Sequence, residues 1–355
     1  MYQDDILKIN PKLLSTFISK VVMALETPSN DADFIASVLV EADLRGVDSH
    51  GATRLAGYVK MRDNGLLNPL AKIQVLDSNS ACTLIDGDNG FGMLGARLGM
   101  QTAIEQARKN GIGMSVARNM THTGLVGYYT MTAAKQGYIG IAMNNGPQIV
   151  PAYGGTTPLL ATNPISFAFP ADKEEPIVLD MATSMVAAGK LRIAEKKGEP
   201  IPLDWGLDRN GEPTDDATEV LANGYLQWAG GYKGFGLATA IEVLSGVLSG
   251  GTFGTGTPPL KNFGEDPLIS CGTYIAIDIE KFIPLNDFQS RVDSLVQMIH
   301  SSNLNPSSSR VYASGEIEFE RKRERMQNGI PMSDSVYNEL LSLGHRFGIE
   351  SDLLK

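Results

Sequence analysis

Cysteine is scarce in this sequence of 355 residues: Cys82 and Cys271 are the only two, and they lie far apart. That excludes a disulfide scaffold and any CxxC zinc or iron–sulfur site. Histidine is almost as rare. His50, His122, His300 and His345 form no His-x-x-x-His pair, which argues against a metal hydrolase, and no metal is expected. Positive charge is in deficit, with Lys plus Arg at 30 against Asp plus Glu at 40, a net −10. No broad basic face is then available for nucleic acid, and an anionic membrane would repel the chain. An anionic small substrate would need a local cluster of Arg or Lys. Long uncharged apolar runs are missing too. The longest, about 234–254, carries Glu242 and many glycines and reads as a buried helix, not a membrane span. The first residues, Met1-Tyr2-Gln3-Asp4-Asp5, are acidic and lack a basic segment before an apolar one. No signal peptide is expected, and the reducing cytoplasm is the expected compartment.

What is present is ordinary for a globular chain: 43% apolar and 20% charged residues, enough length for a sizeable core, and room for two domains. The N-terminal quarter reads as helices. Asn10-Pro11 is a cap followed by proline at the first helical position, with Leu14, Phe17, Ile18, Val21 and Leu25 at helical spacing. Ser29 or Asn30 caps a second helix that Gly46 ends, and a third runs from near Ser49 to Asn64-Gly65. The middle alternates. Residues 112–117, 138–143, 165–169 and 177–179 read as strands, and 93–109, 123–136, 183–196 and 234–249 as helices. After a Gly/Pro-rich connection at 251–264, residues 274–279 alternate as a half-buried strand does, and 286–302 form an amphipathic helix. The charged, helical last forty residues can rejoin the first helices. The expected division is a helical domain from 1–75 with 305–355, and a mixed sheet-and-helix region at 76–304. The fold class is mixed α/β (α+β).

Two constellations carry chemistry. With a helix starting at Ser49, His50, Arg54 and Tyr58 fall roughly along one face near its N-terminus. A guanidinium can hold a carboxylate bidentately, and an imidazole can exchange a proton with a neighbouring hydroxyl or carbonyl. The same triple also fits a capped, solvated surface helix. In the second, His122, Thr123 and Gly124 sit between a strand and a helix N-terminus, a common anion site. There His122 meets a cofactor or substrate, or else it caps the helix. His300 and His345 read as ordinary residues near helix ends. Gly90, Gly92 and Gly95 match GxGxxG, but Asp86 and Asp88 stand where a pyrophosphate would lie. The strand before them reads as short, and Arg118-Asn119 replaces the expected acidic residue. The glycines therefore read as a tight turn and close packing. Gly231-Tyr232-Lys233-Gly234 is a second Gly-rich helix entry, where Lys233 either reaches a phosphate or is simply solvated.

Several segments in order resemble one family: ADLRGVDSHGATRLAGY, DGDNGFGMLGA, THTGLVGYY, ATNPISFAFP, VLDMATSMVAAGK, GYKGFGLATAIEVLSGVLSG and RVYASGE. They are similar to the malate/L-lactate dehydrogenases of the second type, which are unrelated to the Rossmann enzymes. The resemblance implies a non-Rossmann nicotinamide-binding domain with a mixed sheet, NAD or NADP as cofactor, and a homodimer. It implies oxidation of a small 2-hydroxycarboxylate, with ureidoglycolate, sulfolactate or a 2-oxo or imino acid as alternative substrates, or a non-catalytic ligand-binding relative. By the same resemblance His50 is the proton donor with Ser49 as its relay, and Arg54, Tyr58 and Thr162 are substrate contacts. His122 contacts cofactor and substrate and is the catalytic base in some members. Thr123, Gly124, Leu125, Val126, Asp180, Met181, Ala182, Lys233, Gly234, Arg310 and Gly315 are cofactor contacts. Lys190 stands where imino-acid reductases carry an aspartate, which favours a hydroxy acid.

Overall fold

The computed structural model describes residues 7–259 and 263–350. The acidic stretch 1–5 and residues 260–262 of the Gly/Pro-rich connection lie outside them. The chain opens with β1 (Leu7–Ile9), α1 (Pro11–Ala24), α2 (Ser29–Leu44) and α3 (Leu55–Asp63). Asn10 caps α1 as its sequence suggests, its side chain accepting from the Lys12 N–H at 2.9 Å, a cap of about 1 kcal/mol. Two expectations fail here. Helix α2 is not capped by Ser29 or Asn30; Pro28 holds the cap position without a side-chain bond, and Ser29 is already helical. Nor does a helix begin at Ser49. Two short 3-10 turns, Asp48–His50 and Ala52–Arg54, come first, broken at Gly51, and α3 starts only at Leu55.

The central sheet takes β2 (Gln74–Asn79), β3 (Cys82–Gly90), β4 (Ile112–Met120), β5 (Tyr138–Asn144), β8 (Ile165–Phe169), β9 (Ile177–Met181) and β13 (Ser270–Asp278) in the order β2-β3-β4-β13-β5-β8-β9. Helices α4 (Gly92–Asn110) and α5 (Val126–Ala134) pack on it. The pair β3–β4 is parallel and joined by α4; the other pairs are antiparallel. The strand before the GxGxxG run is thus nine residues long, not short. The half-buried strand expected at 274–279 lies in β13 at the sheet's centre, with Tyr274 and Ala276 buried and Ile275 and Ile277 less so, as the alternation suggests.

A smaller layer carries β6 (Val150–Pro151), β7 (Pro158–Leu160), α6 (Ala188–Lys197), β10 (Gly206–Leu207), β11 (Pro213–Thr214), α7 (Ala217–Ala222), β12 (Tyr225–Leu226) and α8 (Tyr232–Glu242). Three helices read from the sequence start or stop differently. Helix α5 starts at Val126, not 123. Helix α6 starts at Ala188, not 183, because Thr183 is tied to the Thr162 carbonyl through its N–H at 2.9 Å and its hydroxyl at 2.8 Å. Helix α8 gives way at Val243 to a π turn, Val243–Val247.

The chain closes with α9 (Leu285–His300), α10 (Glu316–Asn328), β14 (Ile330–Met332) and α11 (Asp334–Phe347). His300 and His345 lie in the last turns of α9 and α11. Strand β14 pairs with β1, Leu7 opposite Met332. Leu340 and Leu343 join Leu14, Phe17, Ile18, Ile35, Leu39, Leu55 and Tyr58 in one buried cluster. Helix α10 lies against α2, where Lys322 pairs with Glu41 at 2.6 Å and Arg45 stacks over Phe319. Arg325 pairs with Asp48 on the first 3-10 turn.

Candidate active site

The break at Gly51 has a visible cause. The carboxyl of Asp43, 4% exposed on α2, accepts the Ala52 N–H at 2.8 Å. A Cβ on Gly51 would lie 1.7 Å from Asp43 Oδ1, so only glycine lets the chain pass. Burial pushes Asp43 up to about 8. This anchor fixes a turn from which Ser49, His50 and Arg54 project, while Tyr58 follows on α3. The four reach one place by tertiary folding, not by sharing a helical face.

His122 arrives from the loop after β4 and completes the group. Its ring stacks on that of His50 at 5.3 Å between centroids and 29° between planes. Each imidazole has a hydroxyl at Nδ1: Ser49 Oγ at 3.0 Å from His50, and Tyr58 OH at 2.7 Å from His122. Nε2 is then the nitrogen each ring has left for a substrate. Burial pushes His50 down to about 3, and Arg54 adds to the effect. Burial, then His50 and Arg54, hold His122 well below its ordinary value. Both rings are neutral at physiological pH. The phenol of Tyr58, 0% exposed, is pushed up by burial and stays protonated. Arg54 donates from Nε to the Ser49 carbonyl at 2.5 Å and lies over the Phe263 ring at 4.6 Å, leaving its Nη pair for a carboxylate. Burial lowers Arg54 to about 10, so it remains cationic.

The expected substrate and cofactor contacts farther along the chain divide. Thr162 and the strand end Asp180-Met181-Ala182 are brought together, since Thr183 bonds back to Thr162. Gly234 joins them, because a Cβ there would lie 2.8 Å from the Thr183 carbonyl and 2.3 Å from that of Ala229. Gly315 lies over β9, where a Cβ would approach the Val178 carbonyl to 2.9 Å. Asp180 Oδ2 accepts the Gly127 N–H at 2.7 Å, just behind Thr123, Gly124, Leu125 and Val126. The chain's own Asp180 carboxylate is therefore the anion that the structure places at the N-terminus of α5. Burial pushes Asp180 up to about 6, partly offset by that N–H and by Arg45. Arg310 is held by Glu316 and Glu320 on α10. Lys233 is exposed at the start of α8.

Sequence reasoning missed three contributors. Phe263 packs against Tyr58, His122 and Arg54, yet it stood in a segment read only as a connection. Its one signal was an aromatic among glycines and prolines. Asp43 looked like one more residue of a helix. Glu242, 5% exposed, clamps Asn145, Asn163 and the Gly254 N–H at 3.1, 2.8 and 2.9 Å. A lone carboxylate in an apolar run was the signal there.

Comparison with known proteins identifies the lineage. A profile described as malate/L-lactate dehydrogenase matches residues 9–341. The chain belongs to the malate/L-lactate dehydrogenase family. It is 39% identical to the malate dehydrogenase of Pyrococcus horikoshii over 98% of this chain and 97% of that protein. A solved structure of a P. horikoshii malate dehydrogenase superposes with a TM-score of 0.89 at 37% identity, covering 99% and 98% of the two chains. The L-sulfolactate dehydrogenase of Methanocaldococcus jannaschii is 34% identical over 96% of this chain and 97% of its own length. The NAD-dependent ureidoglycolate dehydrogenase of Escherichia coli K12 is 31% identical, covering 95% of each chain.

As a member of this family the protein is a dehydrogenase, and its cofactor is NAD or NADP. The GxGxxG run does not fit the cofactor's pyrophosphate. The Gly92 N–H donates to Thr121 Oγ1, and the Cβ places of Gly92 and Gly95 are filled by Thr121, His122 and Met120. The start of α8 fits better. Gly230 and Gly231 hold left-handed φ of 64° and 63°, no side chain caps the helix, and Lys233 stands beside its N–H groups. Among the described residues, no cluster of His, Cys, Asp or Glu could hold a metal ion, and no helix is long and apolar enough to cross a membrane.

Proposed function

We propose that this dehydrogenase interconverts a small 2-hydroxycarboxylate of the malate or lactate type with its 2-oxo acid. The observation that carries the reading is the pair of neutral, stacked imidazoles beside Arg54. The Arg54 Nη groups hold the substrate carboxylate and so fix C2 and its hydroxyl. NAD or NADP, when bound, would supply the hydride acceptor for C2. His50 Nε2 takes the hydroxyl proton, with Ser49 behind it. Ser49 is half-buried and can pass the proton outward, whereas the Tyr58 behind His122 is enclosed by the core. That difference supports transfer by His50 and orientation of the hydroxyl by His122. A carboxylate on Arg54 also neutralises the charge that depresses both histidines, so substrate binding raises the basicity of the group that must act.

Thr162 completes the substrate side. Thr123 to Val126, Asp180 to Ala182, Lys233-Gly234, Arg310 and Gly315 hold the cofactor, with Lys233 nearest its phosphates. The working form is a cytoplasmic homodimer. The homodimer is supported by the exposed, mostly apolar side chains of Tyr232, Leu237, Val243, Val247 and Leu248 along α8 and the turn after it. Reduction of NAD⁺ and of NADP⁺ is measured against L- and D-malate, lactate, sulfolactate and ureidoglycolate. Turnover of a 2-hydroxy acid is expected. Cofactor binding with no turnover of any of them would overturn the substrate class.

A further inference from the structure

Phe263 reaches the active site by crossing α3. Gly57, Lys60 and Asn64 share one face of that helix and its cap, and each receives one residue of the segment 263–265. The Phe263 ring fills the space that a side chain on Gly57 would need: a Cβ there would lie 2.1 Å from Phe263 Cδ1. The Gly264 carbonyl accepts from Asn64 Nδ2 at 3.1 Å, and Lys60 Nζ pairs with Glu265 at 2.9 Å. Gly264 itself holds a φ of +96°, and a Cβ on it would lie 2.8 Å from the Gly57 carbonyl. Two facing glycines therefore let the segment lie directly on the helix. The ring so held meets Tyr58 and His122 edge to face, at 5.5 and 5.6 Å between centroids, and its own face lies against the Arg54 guanidinium at 4.6 Å.

Arg54 needs such a platform. Its Nε–H donates to the Ser49 carbonyl at 2.5 Å, but one hydrogen bond leaves the planar group free to pivot about the N–H···O line. A carboxylate bound by both Nη groups must lie in the guanidinium plane, so the pivot decides where the substrate's C2 points. A ring face against the guanidinium stops the pivot and adds a cation–π attraction. We propose that Phe263, seated in the notch left by Gly57, is a positioning residue that fixes the plane of Arg54 and through it the docking angle of the substrate carboxylate. This rests on the reading of Arg54 as the anchor of that carboxylate.

The test is steady-state oxidation of malate, lactate and sulfolactate by the full-length enzyme with saturating cofactor, alongside NADH and NADPH binding followed by fluorescence. The parent, Phe263→Leu, Phe263→Tyr, Gly57→Ala and Arg54→Ala are compared. Phe263→Leu keeps an apolar cover and loses the π face. It should raise KM for the acid about 2- to 30-fold, the usual worth of a cation–π contact, with a smaller change in kcat and an unchanged cofactor Kd. Phe263→Tyr keeps the face and should stay closer to the parent. Gly57→Ala, a substitution that a helix otherwise favours, should raise KM as Phe263→Leu does, because its methyl displaces the ring. Added to Arg54→Ala, Phe263→Leu should change KM no further. If Arg54→Ala raises KM and Phe263→Leu does not, or if Phe263→Leu raises it equally with and without Arg54, the positioning role is overturned and the anchor reading stands. A cofactor Kd that weakens in step with KM would make the ring general packing and overturn the proposal too. An Arg54→Ala enzyme with the parent's KM, or a parent inert towards all three acids, overturns the anchor reading itself.

Discussion

Gly51→Ala is the sharpest perturbation the site allows. The new methyl would sit 1.7 Å from Asp43 Oδ1 and 2.2 Å from its Cγ, where no atom pair can remain. Asp43 is 4% exposed and has little free space to enter. If its carboxyl turns, Oδ2 leaves the Ala52 N–H, a buried donor whose loss costs about 1–3 kcal/mol. If the backbone moves instead, the overpacking costs about 1–3 kcal/mol. Either way the cost is about 1–3 kcal/mol, enough to lower Tm by a few degrees. Because Ser49 and His50 precede the break and Arg54 follows it, a shift of about 1 Å should also cut kcat/KM by about 100-fold. The assay is a double-mutant cycle with Asp43→Ala, read by urea denaturation and by turnover. Removing the carboxyl opens the space the methyl needs, so Gly51→Ala should cost far less stability in that background. An equal cost in both backgrounds, or a Gly51→Ala enzyme with the parent's Tm and kcat/KM, would refute the anchoring role of Asp43.

Replacing His50 with Ala should lower kcat by about 10²–10⁴, while Arg54→Ala should chiefly raise KM for the hydroxy acid; full activity in the first or an unchanged KM in the second would contradict the assigned roles. The free enzyme's base is depressed to about 3, so kcat/KM for oxidation should stay level as pH falls through 6.5 to 5; a limb centred near 6.5 would show that His50 titrates as an exposed histidine does. Asp43 has the opposite signature. Its folded value, about 8, lies above the ordinary 3.8, so the folded state keeps a proton that the unfolded chain releases between those values, and stability is lost as pH rises through that window. Asp43→Asn lacks this loss, so its stability relative to the parent should improve from pH 5 to pH 8; a gap that does not change with pH would refute the buried, protonated carboxyl.

Local signals in the sequence proved good guides where the cause was local. Asn10-Pro11 marked the start of α1, the apolar run 165–169 was a strand to the residue, and Gly46 and Gly65 ended helices with φ of 77° and 69°. The membership of Ser49, His50, Arg54, Tyr58 and His122 in one group was also legible, but for the wrong geometric reason. A single helix from Ser49 was inferred from periodicity, and the interruption depends on Asp43, nine residues before Ala52 on α2, a side-chain contact that helical periodicity does not announce. Strand β13 was legible as a strand from its alternation, but its place was not: it lies about 130 residues after β5 in sequence yet pairs with it at the centre of the sheet. At the N-terminus of α5 the sequence marked an anion site, and the chain's own carboxylate found there, Asp180, comes from a strand laid down 53 residues later.

The pairing of Arg325 with Asp48, and of Lys322 with Glu41, has a consequence for how the enzyme comes into being. The turn bearing His50 is translated well before the helix that braces it, Arg325 following Asp48 by 277 residues. Domains that fold during synthesis normally complete themselves from the N-terminus onward. Here the earlier-made catalytic segment must wait for a later-made helix, so a nascent chain stalled before α10 would carry every histidine of the site except the brace that sets their geometry. Premature termination in the final segment should therefore release a protein deficient in function before it is deficient in bulk structure.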